Sequence, residues 1–156
     1  MSKSKKRVRA ALESAGLTTE IVETPLARTA ADAAAALGVA VDQIAKSIVF
    51  RGETQGQAVL FLTAGGRQVD PGRAAALAAE PLGKADAAFV RAQTGFAIGG
   101  VSPVGLISPI RAWMDPRLLD FDVVWAAAGT PHHVFPAPPA RLQTLAGATL
   151  AEFTAL

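Results

Sequence analysis

Between Thr94 and Gly105 the chain reads Thr-Gly-Phe-Ala-Ile-Gly-Gly-Val-Ser-Pro-Val-Gly, four glycines and a proline in twelve residues with apolar neighbours on both sides. Gly99-Gly100 can adopt positive φ and lets another group approach the backbone with no Cβ in the way. Pro103 fixes its own φ and biases Ser102 towards an extended conformation. The expected product is a stiff loop with main-chain N–H and C=O groups facing outward for use. A tight strand-to-strand turn is the plainer alternative.

The flanking segments read as alternating helices and strands. Residues 5–15 predict an amphipathic helix, with Val8, Leu12 and Ala15 on one side and Gly16 as its stop. Glu20–Glu23 predicts a short strand. Thr29 is suited to cap an alanine-rich helix over Ala30–Leu37, closed by Gly38. Val41–Lys46 reads as a further short helical piece started by Asp42. Ser47–Arg51 and Ala58–Thr63 read as strands joined by the polar segment 52–57. Asp70-Pro71 opens a helix to about Ala79, and Asp86 caps another that ends before Gly95. Arg111–Met114, Phe121–Ala127 and His133–Phe135 read as strands, and Pro138–Leu145 as a helix with Gly147 beyond its end. Strands adjacent in sequence favour a mixed sheet over a purely parallel one. The expectation is a single α+β domain over residues 1–156, a curved, barrel-like mixed sheet flanked by helices.

Composition narrows the function. The chain of 156 residues has no cysteine and no tyrosine, which excludes disulfides, thiolate nucleophiles, cysteine-bound metals and phenolic acid–base chemistry. Its 51% hydrophobic content is ample for one core, yet no stretch is apolar enough to span a bilayer. The basic start, Met1–Ala10, is followed by no long apolar run, so no secretory signal is expected and a cytoplasmic location is. The net charge of +2 conceals an asymmetry: Lys3, Lys5, Lys6, Arg7 and Arg9 carry five of the fifteen basic residues, and the remainder of the chain is −3. Strong sequence-independent binding to DNA or RNA is therefore not expected. The basic end is either a solvated terminus or a contact for phosphates.

Two places could carry chemistry. Lys46 sits among Ile44, Ala45, Ile48, Val49 and Phe50, where an ammonium is partly desolvated and Asp42 is the one acid close in sequence. A substrate phosphate or ribose is its expected partner, against the alternative of a lysine that snorkels from a strand edge. His132-His133, the only histidines, follow Gly129-Thr130-Pro131. On an extended segment they face opposite ways, and no further ligands stand at suitable spacing, so neither a metal nor another cofactor is expected. A serine-hydrolase elbow, a phosphate-binding P-loop and a complete dinucleotide fingerprint are all missing.

Three segments together resemble the YbaK family, free-standing relatives of the editing domain inserted in bacterial prolyl-tRNA synthetase. They are Asp42–Phe50, Thr94–Gly105 and Ala128–Phe135, and the similarity runs over roughly residues 5–150; Thr29 and Val69-Asp70 fit as well. The resemblance implies hydrolysis of the ester between a wrong amino acid and the 3′ acceptor end of a tRNA. It implies that Lys46 holds the terminal phosphate or ribose and that Gly100 faces the aminoacyl carbonyl. Gly99, Val101, Ser102 and Pro103 would shape the same loop. Thr29, Ser47, Gly129 and His132 would complete the substrate pocket, with Ser47 standing where some relatives carry asparagine. An aminoacyl ester is already activated, so a positioned water and backbone donors for the oxyanion suffice without a covalent nucleophile. Aminoacyl-tRNA is the expected partner, with a synthetase as a second. A module that binds tRNA or a synthetase without catalysis is the rival reading.

Overall fold

A computed structural model describes residues 2–155. Its helices begin where short polar side chains satisfy free amides. Ser2 accepts from Lys5 N at the start of α1 (Lys3–Ser14), and Thr29 from Asp32 N at the start of α2 (Ala30–Leu37). Asp70 accepts from Gly72 N and Arg73 N ahead of α3 (Pro71–Ala78), and Asp86 from Phe89 N ahead of α4 (Ala87–Thr94). α5 (Pro139–Ala146) starts on prolines instead. Each capping bond satisfies an amide with no partner inside the helix.

The strands are β1 (Val22–Glu23), β2 (Ile44–Gly52), β3 (Ala58–Ala64), β4 (Leu82–Lys84), β5 (Arg111–Met114), β6 (Val124–Ala127), β7 (His133–Ala137) and β8 (Ala148–Leu150). They form one mixed sheet in the order β1-β7-β6-β2-β3-β5-β8, with β4 also on β2. The sheet is curved and open: β1 and β8 end the order and are not paired with each other. The short helical piece expected over Val41–Lys46 is a 3-10 turn that ends at Gln43, and β2 follows at once. Asp42 does not start a helix because its carboxylate is drawn away, to the amide of Gly66 and the guanidinium of Arg117. β4 and β8, three residues each, were not foreseen.

β3 carries the core. All of its residues are buried, and alternation sends them to opposite faces. Leu60, Leu62 and Ala64 join Val8, Leu12, Phe96, Met114, Phe135 and Leu142 in the larger cluster. Val59 and Phe61 meet Ala74 of α3 and Phe153 on the other face. A third, small cluster packs Ala33 and Ala34 of α2 against Ile44, where alanines permit close helix–sheet approach.

The feature that positions the site is a break beside β2. One edge pairs with β3 along nearly its whole length, from Ala45 to Arg51. The other edge is shared: β6 pairs only with Ile44 and Ala45, and β4 only with Phe50–Gly52. Among the described residues no strand lies beside residues 46–49 on that side. Gly52 N donates to Gln57 O at 2.9 Å. The unbroken antiparallel register then points the main-chain groups of Phe50, Ile48 and Lys46 at β3, and those of Ser47 and Val49 into the opening.

Candidate functional site

The break opens into a cleft of about 970 Å³, a size that accepts a nucleoside-sized ligand. Its floor is β2. Arg28 and Thr29 ahead of α2 line the cleft, as do Ile98, Gly99 and Val101 of the glycine loop. The turn Thr130–His133 and the pair Gly65-Gly66 complete the rim.

Lys46 lies half-buried on the floor. Its Nζ donates to the main-chain carbonyl of Arg67 at 2.6 Å. Burial pulls the ammonium below the usual lysine range, and the charges of Asp42 and Asp115 oppose that pull. The expectation of a lysine whose only partner is substrate is thus corrected. Arg67 lies twenty-one residues on, and Asp115 comes from the far end of β5, so neither was visible as a neighbour in sequence. Asp115 is buried and accepts from Arg67 Nη1 at 3.1 Å, Ala64 N at 3.2 Å and Arg117 N at 2.9 Å. Asp42 accepts from Gly66 N at 2.8 Å and from Arg117 Nε at 3.0 Å. Gly65 is required here by proximity, since a Cβ on it would collide with Val41 O, while one on Gly66 would lie 2.6 Å from Asp42 Oδ1 and displace that carboxylate.

The glycine loop divides its residues between two jobs. Gly99, at φ 88°, and Val101 line the cleft. Gly100 is buried against the neighbouring turn, where an added Cβ would meet the Thr130 main chain at 2.8 Å. It therefore spaces two rim segments rather than lining the cleft, and its φ is not positive. Ser102 is fully buried, its Oγ accepting from Val104 N at 3.1 Å, and Pro103 faces a separate surface depression. α1 holds both ends of this loop. Arg7 donates through Nε to Gly105 O at 2.7 Å and through Nη2 to Gly95 O at 2.8 Å, and its guanidinium lies over the Phe96 ring at 4.4 Å. Arg7 is thus neither a solvated end nor a free phosphate contact; tertiary acceptors eighty-eight and ninety-eight residues away engage it.

On the opposite rim, Gly129 at φ 95° packs against α1, where a Cβ would come within 2.8 Å of Ser4 O. Gly129 is buried outside the cleft, while His132 and His133 both border it. His132 is exposed. His133 Nδ1 lies 2.6 Å from Thr130 Oγ1, and its Nε2 3.8 Å from Glu23 Oε2. Burial, then the charge of Lys5, lowers the His133 pKa below the ordinary histidine value, with Glu23 opposing. Thr29 borders the cleft with its hydroxyl engaged in capping α2. Ser47 borders it too, and its buried Oγ has no hydrogen-bond partner among the described residues. Of ten residues expected at the site, Thr29, Lys46, Ser47, Gly99, Val101 and His132 converge on the cleft, and Gly100, Ser102, Pro103 and Gly129 shape its rim from behind. Sequence reasoning missed Arg67, Asp115 and Gly65-Gly66; the glycine pair after an apolar strand was the one local signal available.

Fold and cleft define an α+β protein whose ligand site is a lysine-floored opening in a mixed sheet. The model of the aminoacyl-tRNA editing domain matches residues 24–145, most of the chain, and the protein belongs to that family. The uncharacterized protein YwhH of Bacillus subtilis (strain 168) is 32% identical over 114 residues, covering 73% of this chain and 72% of that one. A solved structure described as a candidate trans-editing enzyme for prolyl tRNA synthetase is 46% identical, with a TM-score of 0.92 over 100% of this chain and 99% of its own. A scaffold from work on epitope backbone grafting is 45% identical at a TM-score of 0.92, each chain covered in full. Hypothetical protein APE2540 is 28% identical at a TM-score of 0.85, covering 96% of this chain and 99% of that one. No helix among the described residues is long and apolar enough to cross a membrane.

Proposed function

We propose that this protein is a trans-editing deacylase: it hydrolyses the ester joining a wrong amino acid to the 3′ end of a tRNA. The observation that carries the reading is the half-buried Lys46 in the cleft that Gly99 and Val101 also line. A lysine has three N–H donors; one is engaged by Arg67 O, and two remain for the terminal ribose or phosphate. The amides of Gly99 and Val101 donate to no protein acceptor among the described residues, and they are suited to receive the developing oxyanion. Water adds to the ester carbonyl, the bond from acyl carbon to ribose oxygen breaks, and the ribose oxygen takes a proton, releasing amino acid and tRNA. The chemistry needs no covalent nucleophile. A small wrong amino acid on tRNA-Pro, or on a related tRNA, is the proposed substrate. The resemblance to a candidate trans-editing protein for prolyl-tRNA synthetase supports that choice.

The test is deacylation of a panel of mischarged tRNAs under single-turnover conditions. The parent should clear at least one pair much faster than its spontaneous hydrolysis, and Lys46→Ala should lose about 10²–10³ in rate. A well-folded Lys46→Ala protein working at the parent rate would sink the assignment. A parent that binds tRNA and clears no pair would favour the non-catalytic module.

A further inference from the structure

Of the groups that hold Lys46 in place, Arg67 and Asp115 lie outside the three segments that carry the family resemblance, and only Asp42 lies within one. The hydrogen-bond acceptor of Lys46 is a main-chain carbonyl, that of Arg67, just beyond the end of β3. Such an acceptor is only as well placed as the turn that bears it. This turn is tied down at several points. Arg67 N donates back to Ala64 O at 2.9 Å. Gly66 N donates to Asp42 Oδ1 at 2.8 Å. Asp115 Oδ2 takes the Ala64 amide at 3.2 Å, and Asp115 Oδ1 takes the Arg67 guanidinium at 3.1 Å. Asp115 is itself fixed, being 1% exposed and bonded to the amide of Arg117 at 2.9 Å. One carboxylate therefore grips both the first residue of the turn and the side chain of its last.

We infer that Asp115 and Arg67 are a positioning pair for Lys46: Asp115 clamps the 64–67 turn so that the Arg67 carbonyl fixes the ammonium at the floor of the cleft. Neither residue lines the cleft, so neither touches substrate; both act through the lysine. This rests on the reading of Lys46 as the substrate anchor, but the clamp itself is testable in the free protein. The charged groups linked to the ammonium are Asp42, Asp115 and their partners Arg67 and Arg117, and the titratable or charged residues that line the same cleft are Arg28, His132 and His133. Among these Asp42 and Asp115 hold the lysine pKa up against the effect of burial.

The experiment titrates Lys46 directly by carbon-13 NMR of labelled lysine, a small spectrum because the chain has five lysines; Lys46→Arg assigns the signal by its loss. Asp115→Asn keeps the shape and removes the charge, so Lys46 should titrate at lower pH than in the parent. Arg67→Gln keeps the main-chain carbonyl and leaves the Asp115 charge uncompensated, so Lys46 should titrate at higher pH. A residue that only supported the fold would not shift the lysine in opposite directions in the two variants. In single-turnover deacylation both variants should lose about 10–100-fold in kcat/KM, as expected for misplacement on the scale of 1 Å. If Asp115→Asn does not fold, Arg67→Gln alone decides by the direction of its shift. Lys46 titrating as in the parent in every folded variant would overturn the clamp, whatever the activity. Shifts as expected in a protein that deacylates nothing would instead refute the proposed function and leave the clamp standing.

Discussion

Arg7→Met removes the cation that ties the two ends of the glycine loop to α1, and keeps most of the side chain's volume over Phe96. Two bonds are lost, to Gly105 O at 2.7 Å and Gly95 O at 2.8 Å, together with the cation–π contact at 4.4 Å. Hydrogen bonds to charged groups contribute about 1.5–3 kcal/mol each. Arg7 is half-buried, so water replaces part of that, and halving the sum leaves about 1.5–3 kcal/mol. The cation–π contact adds about 0.5–1 kcal/mol, giving roughly 2–4 kcal/mol in all. For a chain of this size that lowers Tm by about 6–12 °C. Urea denaturation of the parent, Arg7→Met and Arg7→Lys measures it; the lysine variant keeps a cation with a single donor centre and should recover about half the loss. Hydrogen exchange adds the local readout: amides of the 95–105 segment should exchange faster in Arg7→Met while those of β3 stay protected. A surface charge with no such role changes stability by about 0.5 kcal/mol or less. A loss within that limit, with unchanged exchange in the loop, would refute the reasoning.

Three further outcomes are expected. Gly100→Ala puts a Cβ 2.8 Å from the Thr130 main chain, which cannot yield as a side chain tip would, and should cost about 1–3 kcal/mol in thermal denaturation. Gly99→Ala meets nothing closer than Pro131 Cγ at 3.9 Å and should lose only the strain of its left-handed φ, about 1–2 kcal/mol; equal losses would show that proximity to the turn does not matter. The lowered His133 pKa means that the unfolded chain binds the proton more readily than the folded one. Its contribution to stability is therefore fully present above the ordinary histidine value of about 6.5 and falls as pH drops below it; denaturation of His133→Gln should show less of that fall, and an unchanged profile would exclude His133 as its source. Finally, Lys3→Glu with Lys6→Glu, both exposed on α1, should weaken tRNA binding modestly and flatten its salt dependence. The double substitution is a cleaner probe than truncating the basic end, because Val8 is fully buried in the main core and Arg7 holds the loop; an unchanged slope in filter binding would remove these lysines from the interface.

What the sequence by itself determined was local. Thr29, Asp70 and Asp86 cap helices as their residue types require, because a cap is settled within four residues of chain. The apolar run Ala58–Thr63 reads as a strand from its residue types, and Lys46 as a charge among apolar neighbours that is either a substrate contact or a lysine snorkelling from a strand edge. Asp42 shows where that reasoning ends. It has the makings of a helix start, yet the Gly66 amide and Arg117, twenty-four and seventy-five residues away, claim its carboxylate and the chain enters β2 instead. The opening beside β2 was likewise illegible, since it exists only because β6 and β4 take opposite ends of one edge. Tertiary structure also decided that Gly99 lines the cleft while Gly100 spaces its rim, and that Arg7 serves the loop rather than solvent. Neighbours in sequence determine backbone preference; which groups share a hydrogen bond, a charge or a cavity is settled when distant segments meet.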